Sequence, residues 1–420
     1  MKSLFALLAF APGALLAAVI GHNIPAPEMS RERLAELPAA QRPAWQAYLD
    51  RSDRRMTLDR ATLARELQAG DTVPPPPIAG KPNAPLDREP AWYASAEAAA
   101  IADTILSFQT PSGGWSKNQD RRGPRRLPGQ RYANNAETMT VGTGSFDEPR
   151  DRYWTFVGTL DNDATTTELR FLARVNQQRP GDAYRAAIVK GIDYLLMAQT
   201  PNGGWPQVYP LEGGFHDGIT FNDDAVAEAA RVLQDVAEGS PGFAFVPESL
   251  RRQAHAAVAR AVDLILAAQV VVDGRRTIWP QQIDAITLKP ISARNYEMPG
   301  LASAESAQVL LFLMQQPRPT PAMMAAVDAG IAWLQAHALR DHAFTMTPDG
   351  RKLVAQPGAG PLWSRIYDIA TGRPVFGDWG KTIHNDVNEI SKGRRNGYTW
   401  WGTWPQKALD AYPRWKTANP

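Results

Sequence analysis

Apolar side chains recur every three to four positions in a series of runs separated by long polar or glycine-rich segments, and each run predicts an amphipathic helix. The runs are 92–109, 165–178, 183–199, 222–238, 249–269, 302–316, 325–335 and an aromatic-rich last one at 396–412. The run at 165 starts with a Thr165/Glu168 pair spaced as a capping box. Residues 30 to 69 read as two or three short polar helices broken by Pro38 and Pro43, and the four prolines at 74–77 read as a stiff, extended connector.

A heptapeptide is written almost identically after two of these helices: QTPSGGW at 109–115 and QTPNGGW at 199–205. A degraded third copy keeps the order Gln269, Gly274, Trp279 with an insertion. Units therefore start about 65 to 90 residues apart, each a helical hairpin with a long loop after its first helix. Stacked side by side, such hairpins bury their apolar stripes against each other. The expected fold is all-α: an α/α toroid, a barrel of about three main hairpin repeats, with the long loops forming the active face. At each corner Gly-Gly permits a turn closed to other residues, and the Trp either packs over it or offers a flat face to a sugar ring; Trp205 is expected to bind substrate in this way.

Composition narrows the classes. The 420 residues are 44% apolar, enough for a substantial core, and 45 basic against 43 acidic side chains give a net charge of +2 with no stripe of the kind nucleic acid requires. The first 21 residues carry one lysine, an apolar run and then small residues, the layout of a secretory signal peptide. That run is short for a membrane span. A soluble exported monomer, periplasmic or extracellular, is expected, in three parts: leader 1–21, helical extension and Pro-rich linker 22–89, catalytic domain 90–420. The chain has no cysteine, which excludes disulfides, thiolate nucleophiles and cysteine metal sites.

Serine-hydrolase, zinc-protease and P-loop signatures are missing, and the six histidines form no i,i+3 or i,i+4 pair. Charge gathers instead in the inter-helix loops. TLDNDATTTE places Asp161, Asn162 and Asp163 at one helix entrance, and FHDGITFNDDA places Asp217, Asn222, Asp223 and Asp224 at the next. One residue per helix is explained by capping; three are not, and carboxylates mixed with amides suit a hard cation such as Ca²⁺. TLKPISARNYEMPG brings Lys289, Arg294, Tyr296 and Glu297 to a Pro-bounded loop near the same mouth, where Arg can clamp a carboxylate bidentately. LWSRIYD adds Arg365. An exported protein with these loops points to an acidic polysaccharide.

Six segments, TLDNDATTTE, QTPNGGWPQVYP, FHDGITFNDDA, KPISARNYEMP, LWSRIYD and RRNGYTWWGTWP, resemble in sequence and order the pectate lyases of polysaccharide lyase family ten, over roughly residues 90 to 412. The resemblance implies Ca²⁺-dependent β-elimination of polygalacturonate on an α/α toroid. It implies that Asp161 and Asp223, with Asp224, are metal or substrate-site carboxylates, that Arg294 is the base, and that Asn162, Lys289 and Arg365 bind metal or uronate. Arginine as a base requires a transiently neutral guanidine, hence an alkaline optimum. Three other readings compete: a metal-independent lyase of another acidic polysaccharide, with Tyr296 or Tyr398 as base; a terpene cyclase; and a noncatalytic carbohydrate-binding protein.

Overall fold

The computed structural model describes residues 19–81, 84–134, 144–151 and 153–419. The expected leader lies outside these except for its last three residues, which begin the strand Val19–His22. Ten helices are described: α1 Arg42–Ala64, α2 Ala96–Ser107, α3 Thr166–Gln178, α4 Asp182–Ala198, α5 Ala225–Glu238, α6 Glu248–Ala268, α7 Ser303–Met314, α8 Pro321–Ala336, α9 Lys392–Gly397 and α10 Pro405–Ala418.

The helices do pair, but not as expected: α3 packs on α4, α5 on α6 and α7 on α8, across the short connections, whereas the expected pairs spanning the long loops, α2/α3, α4/α5 and α6/α7, pack less extensively. Helices α3, α5 and α7 are buried nearly all round, whereas α6 buries one stripe, Leu250, Ala254, Ala257, Ala261, Leu264 and Ala268, at the i, i+3/i+4 spacing of an outer helix. The inner row runs α2, α3, α5, α7, α10, with α4, α6 and α8 outside it.

The expectation of an all-α toroid is corrected. Among the described residues thirteen short strands form six small antiparallel sheets, and the two ends of the helix row, α2 and α10, do not pack against each other along their lengths. The cause is that the inter-helix segments are themselves buried. Their N–H and C=O groups need partners inside the protein, and two-residue ladders supply them. Ile219–Thr220 pairs with Gln282–Ile283, Leu301–Ala302 with Ile366–Tyr367, and Trp363–Ser364 with Trp401–Gly402. The last of these takes Trp401 out of the predicted aromatic helix, which starts only at Pro405.

The repeated heptapeptide makes the same contacts at each corner. Gln109 Nε2 donates at 2.9 Å to Gly113 O and Ala187 O, Gln199 to Gly203 O and Ala257 O, and Gln269 to Thr277 O and Ala326 O. Each carboxamide thereby ties a turn to the outer helix of its own or the next hairpin. The indole N–H groups of Trp115, Trp205 and Trp279 donate to carbonyls of the preceding helix, Ile105, Leu195 and Ile265, and Trp363 does the same to Leu334 in a fourth corner. All four rings are fully buried. Burial of such a ring contributes about 1.5–3 kcal/mol, and the bonded N–H removes the cost of hiding a donor. Glycine is obligatory at the turn: φ is 108° at Gly113 and 101° at Gly203, and a Cβ would overlap the carbonyl oxygens of Lys190 and Arg260.

Two local expectations also fail. No capping box opens α3: Thr165 Oγ1 accepts from Trp115 N at 3.0 Å and donates to Thr159 O, and Glu168 pairs with the buried Arg121. Pro43 does not break a helix but sits in the first turn of the 23-residue α1, where its missing N–H costs nothing. That helix is no separate extension, for Trp45 and Tyr48 join the main core and Tyr48 Oη donates to Ala198 O at 3.1 Å.

Candidate active site

Two short turns lead into α3 and α5, Asp161–Asp163 and Asn222–Asp224. Both hold consecutive non-glycine residues in the left-handed region: Asn162 and Asp163 at φ 53° and 58°, Asp223 and Asp224 at 49° and 60°. Asn and Asp visit that region more readily than other side chains, which accounts for the residue types. The repetition brings the turns together. Asn162 N lies 3.4 Å from Asp223 Oδ2, and the Asp223 carboxyl hydrogen-bonds Asp161.

Lys117 Nζ is 2.5 Å from Asp161 Oδ2, with both side chains buried, and rests 3.7 Å above the Phe156 ring. Burial by itself would raise the Asp161 pKa; the Lys117 charge, the Asp223 hydrogen bond and Arg294 outweigh it and hold Asp161 well below the usual range. Asp223 moves the other way. Burial, the Asp161 charge and the shared hydrogen bond push it well above the usual range, so the pair keeps one proton, on Asp223. Asp224 belongs to a neighbouring carboxylate group: burial, then Glu305, Asp163 and Glu228, raise it to about 7. Among the described residues no three His, Asp or Glu side chains converge closely enough to hold a metal ion by themselves.

Arg294 projects from a tight turn in which Glu297 N donates to Arg294 O and Ala293 N to Glu297 O. Among the described residues its guanidinium makes only long contacts: Nε to Asp147 Oδ2 at 3.4 Å, Nη1 to Tyr296 Oη at 3.4 Å and to Glu297 Oε1 at 4.0 Å. Burial alone would lower its pKa, but Glu297, Tyr296, Asp147 and Asp161 raise it well above the ordinary value. Asp161 and Arg294 thus act on one another, which places the base candidate and the acidic turns in one cluster. Arg365 stands beside it, its Nη2 donating to Glu305 Oε1 at 2.7 Å and Asn222 Oδ1 at 2.9 Å.

Three expected substrate contacts fare differently. Trp205 is corrected: its ring has no exposed surface and its N–H is spent on Leu195, so it cannot stack on a sugar. Lys289 is exposed and makes no ion pair among the described residues, so the structure does not bring it to the cluster. Tyr296 is buried at 5% exposure beneath Arg394, 3.8 Å from its ring centre, with its hydroxyl facing Arg294; burial raises its pKa, and burial does the same to Tyr398. Neither phenol is prepared to act as a base. Asn162 is exposed at the mouth, its Nδ2 donating to Asn118 Oδ1.

Sequence reasoning missed Lys117, Asp147, Glu212, His216 and Glu305. Lys117 had a signal: it occupies the second position after the repeated Trp, where the other copies have Gln207 and Gln281, so a charge replaces an amide at one corner only. His216 lies between Asp147 (3.5 Å) and Glu212 (3.3 Å), and the burial that lowers its pKa to about 3 keeps it neutral.

The model of the pectic acid lyase family matches residues 109–409. No curated protein matches the chain. Among solved structures, a family 10 polysaccharide lyase from Cellvibrio cellulosa is similar at 32% identity and a TM-score of 0.66, over 78% of this chain and 95% of that one. An aspartate-to-alanine mutant of a family 10 polysaccharide lyase from the same organism, in complex with trigalacturonic acid, is similar at 32% identity and 0.65, over 77% and 95%.

Proposed function

Since the chain belongs to the pectic acid lyase family and is a pectate lyase acting on polygalacturonate, we propose that it cleaves this polymer by calcium-dependent β-elimination with Arg294 as the base. The observation that carries the proposal is that the charges of Arg294 and Asp161 are near enough to shift one another's titration, without an ion pair between them, and that the Asp161 carboxylate hydrogen-bonds Asp223.

The donors fit a hard cation. They are all oxygens, and the Asp161–Asp223 pair holds a proton only because burial and mutual repulsion forbid two negative charges there. Two carboxylates and the Asn162 amide are too few for a closed cage, which favours an ion bound jointly with a uronate carboxylate. Ca²⁺ held in this way would withdraw charge from that carboxylate and make the neighbouring C5 hydrogen more acidic.

The chain's own residues do the rest. Arg294 takes the C5 proton, the C4–O4 bond breaks, a C4–C5 double bond forms, and the departing oxygen acquires a proton. In the bare protein the surrounding carboxylates keep Arg294 protonated. A neutral guanidine therefore needs those charges offset, and Asp161 is common to the metal pair and the Arg294 surroundings. Arg365, fixed by Glu305 and Asn222, would meet a second uronate. Export, for which the leader-like first 21 residues speak, would bring the enzyme to where polygalacturonate is found.

The test is a calcium titration of the initial rate on polygalacturonate for wild type, Asp161→Asn and Asp223→Asn. Both variants should need far more calcium for half-maximal rate; an unchanged calcium dependence in both would refute the metal assignment.

A further inference from the structure

The residues before the family-matched region reach the site. We infer that Asn23 is a positioning residue for Arg294, an inference that rests on the proposed role of Arg294. The buried Asn23 Nδ2 lies 3.0, 3.1 and 3.2 Å from the carbonyl oxygens of Arg294, Asn295 and Glu297. Three carbonyls of the arginine loop, those of Arg294, Asn295 and Glu297, thus turn inward onto one carboxamide, whose two N–H groups they share.

The anchor is itself held from both sides. On the side that follows the expected leader 1–21, His22 pairs with Thr382, in the strand that pairs in turn with Phe376–Gly377, and Asn23 N donates to Lys381 O at 2.7 Å. Ser292 Oγ donates to Ile24 O, tying the start of the loop to the same segment.

Arg294 needs such a support because its side chain has little of its own. Its guanidinium contacts among the described residues are 3.4 Å or longer, so the place of the reacting nitrogen is set by the backbone that carries it. A displacement of about 1 Å at a reacting group can cost a hundredfold in rate. Asn23 Oδ1 is buried without a partner among the described residues. Such an orphan is unfavourable, which makes donation to the loop the feature that accounts for an amide here.

The experiment compares wild type, Asn23→Asp, Asn23→Ser and Arg33→Gln. Aspartate keeps the shape of Asn23 but sets oxygen against three carbonyl oxygens. Serine keeps one short donor. Arg33→Gln cuts a different tie of the same segment, the 2.6 Å pair with Asp284, and serves as the structural control. Values of kcat and KM on polygalacturonate at saturating calcium are measured together with hydrogen exchange of residues 292–297 and the melting temperature.

Asn23→Asp should lower kcat about ten- to a hundredfold with KM within twofold and speed exchange in 292–297, Asn23→Ser should fall between it and wild type, and Arg33→Gln should keep kcat. The inference is overturned if Asn23→Asp keeps kcat within twofold, or if Arg33→Gln loses as much. Should Asn23→Asp fail to fold, Asn23→Ser decides by the same two criteria. Equal kcat in wild type and Arg294→Lys would remove the base assignment instead, and the exchange measurement would still report whether Asn23 holds the loop.

Discussion

Lys117 and Asp161 form a buried ion pair, Nζ to Oδ2 at 2.5 Å, at the point where the two acidic turns meet. The lysine is the counter-charge that lets Asp161 stay ionised, although burial opposes it. Lys117→Ala should therefore destabilise the protein by about 3–5 kcal/mol, the range for breaking one partner out of a buried pair. Added calcium should recover more stability in this variant than in wild type, because the stranded carboxylate is a candidate metal ligand. Urea unfolding with and without calcium reads both effects, and an unchanged midpoint would contradict them.

The glutamine at each corner predicts a stability effect without a catalytic one. Gln199→Ala leaves the Gly203 and Ala257 carbonyls without their donor, and the loss should be about 1–3 kcal/mol. The rate on polygalacturonate at a temperature well below unfolding should stay within twofold of wild type. A large loss of kcat with normal stability would mean that the repeated corner takes part in the chemistry after all.

Stability should fall as the solution becomes alkaline. Burial pushes Glu212 to about 8 from an ordinary 4.5, and Asp217 in the same direction to about 7. Such carboxyls keep their protons in the fold at pH values where the unfolded chain has released them. The unfolded state then binds fewer protons, and stability declines from about pH 5 to pH 8. Glu212→Gln should flatten part of that decline, measured as melting temperature against pH. An identical slope in the variant would show that Glu212 ionises normally in the fold. The proposed arginine base would demand a pH at which these groups no longer contribute their stability, so the temperature tolerance of activity should be narrower on the alkaline side than near pH 5.

The sequence made the helices and the repeated corner legible because a 3.6-residue period and a Gln-to-Trp spacing are local properties, but not which helices pair, which packing between them decides. It made Asp161, Asp223 and Arg294 legible because charges in otherwise short-range turns have no folding explanation of their own. The sheets were not legible. Their strands are mostly two residues long, too short for any period, and they exist because distant segments meet. The expected sugar contact of Trp205 fails for a related reason: whether an indole faces a cleft or a core depends on which helix covers it. The Asn23 contact is invisible in sequence, since an isolated Asn among Gly-His and Ile-Pro carries no pattern and its partners lie more than 270 positions away.

The measurement that bears most directly on the account follows the ultraviolet absorbance of unsaturated ends released from polygalacturonate, for wild type and Arg294→Lys, in calcium and in excess chelator. Wild type should be active in calcium with an alkaline optimum and silent in chelator, and Arg294→Lys should lose at least a hundredfold in kcat while binding substrate with a similar KM. Chelator-resistant wild-type activity, or near-normal turnover by Arg294→Lys, would contradict it.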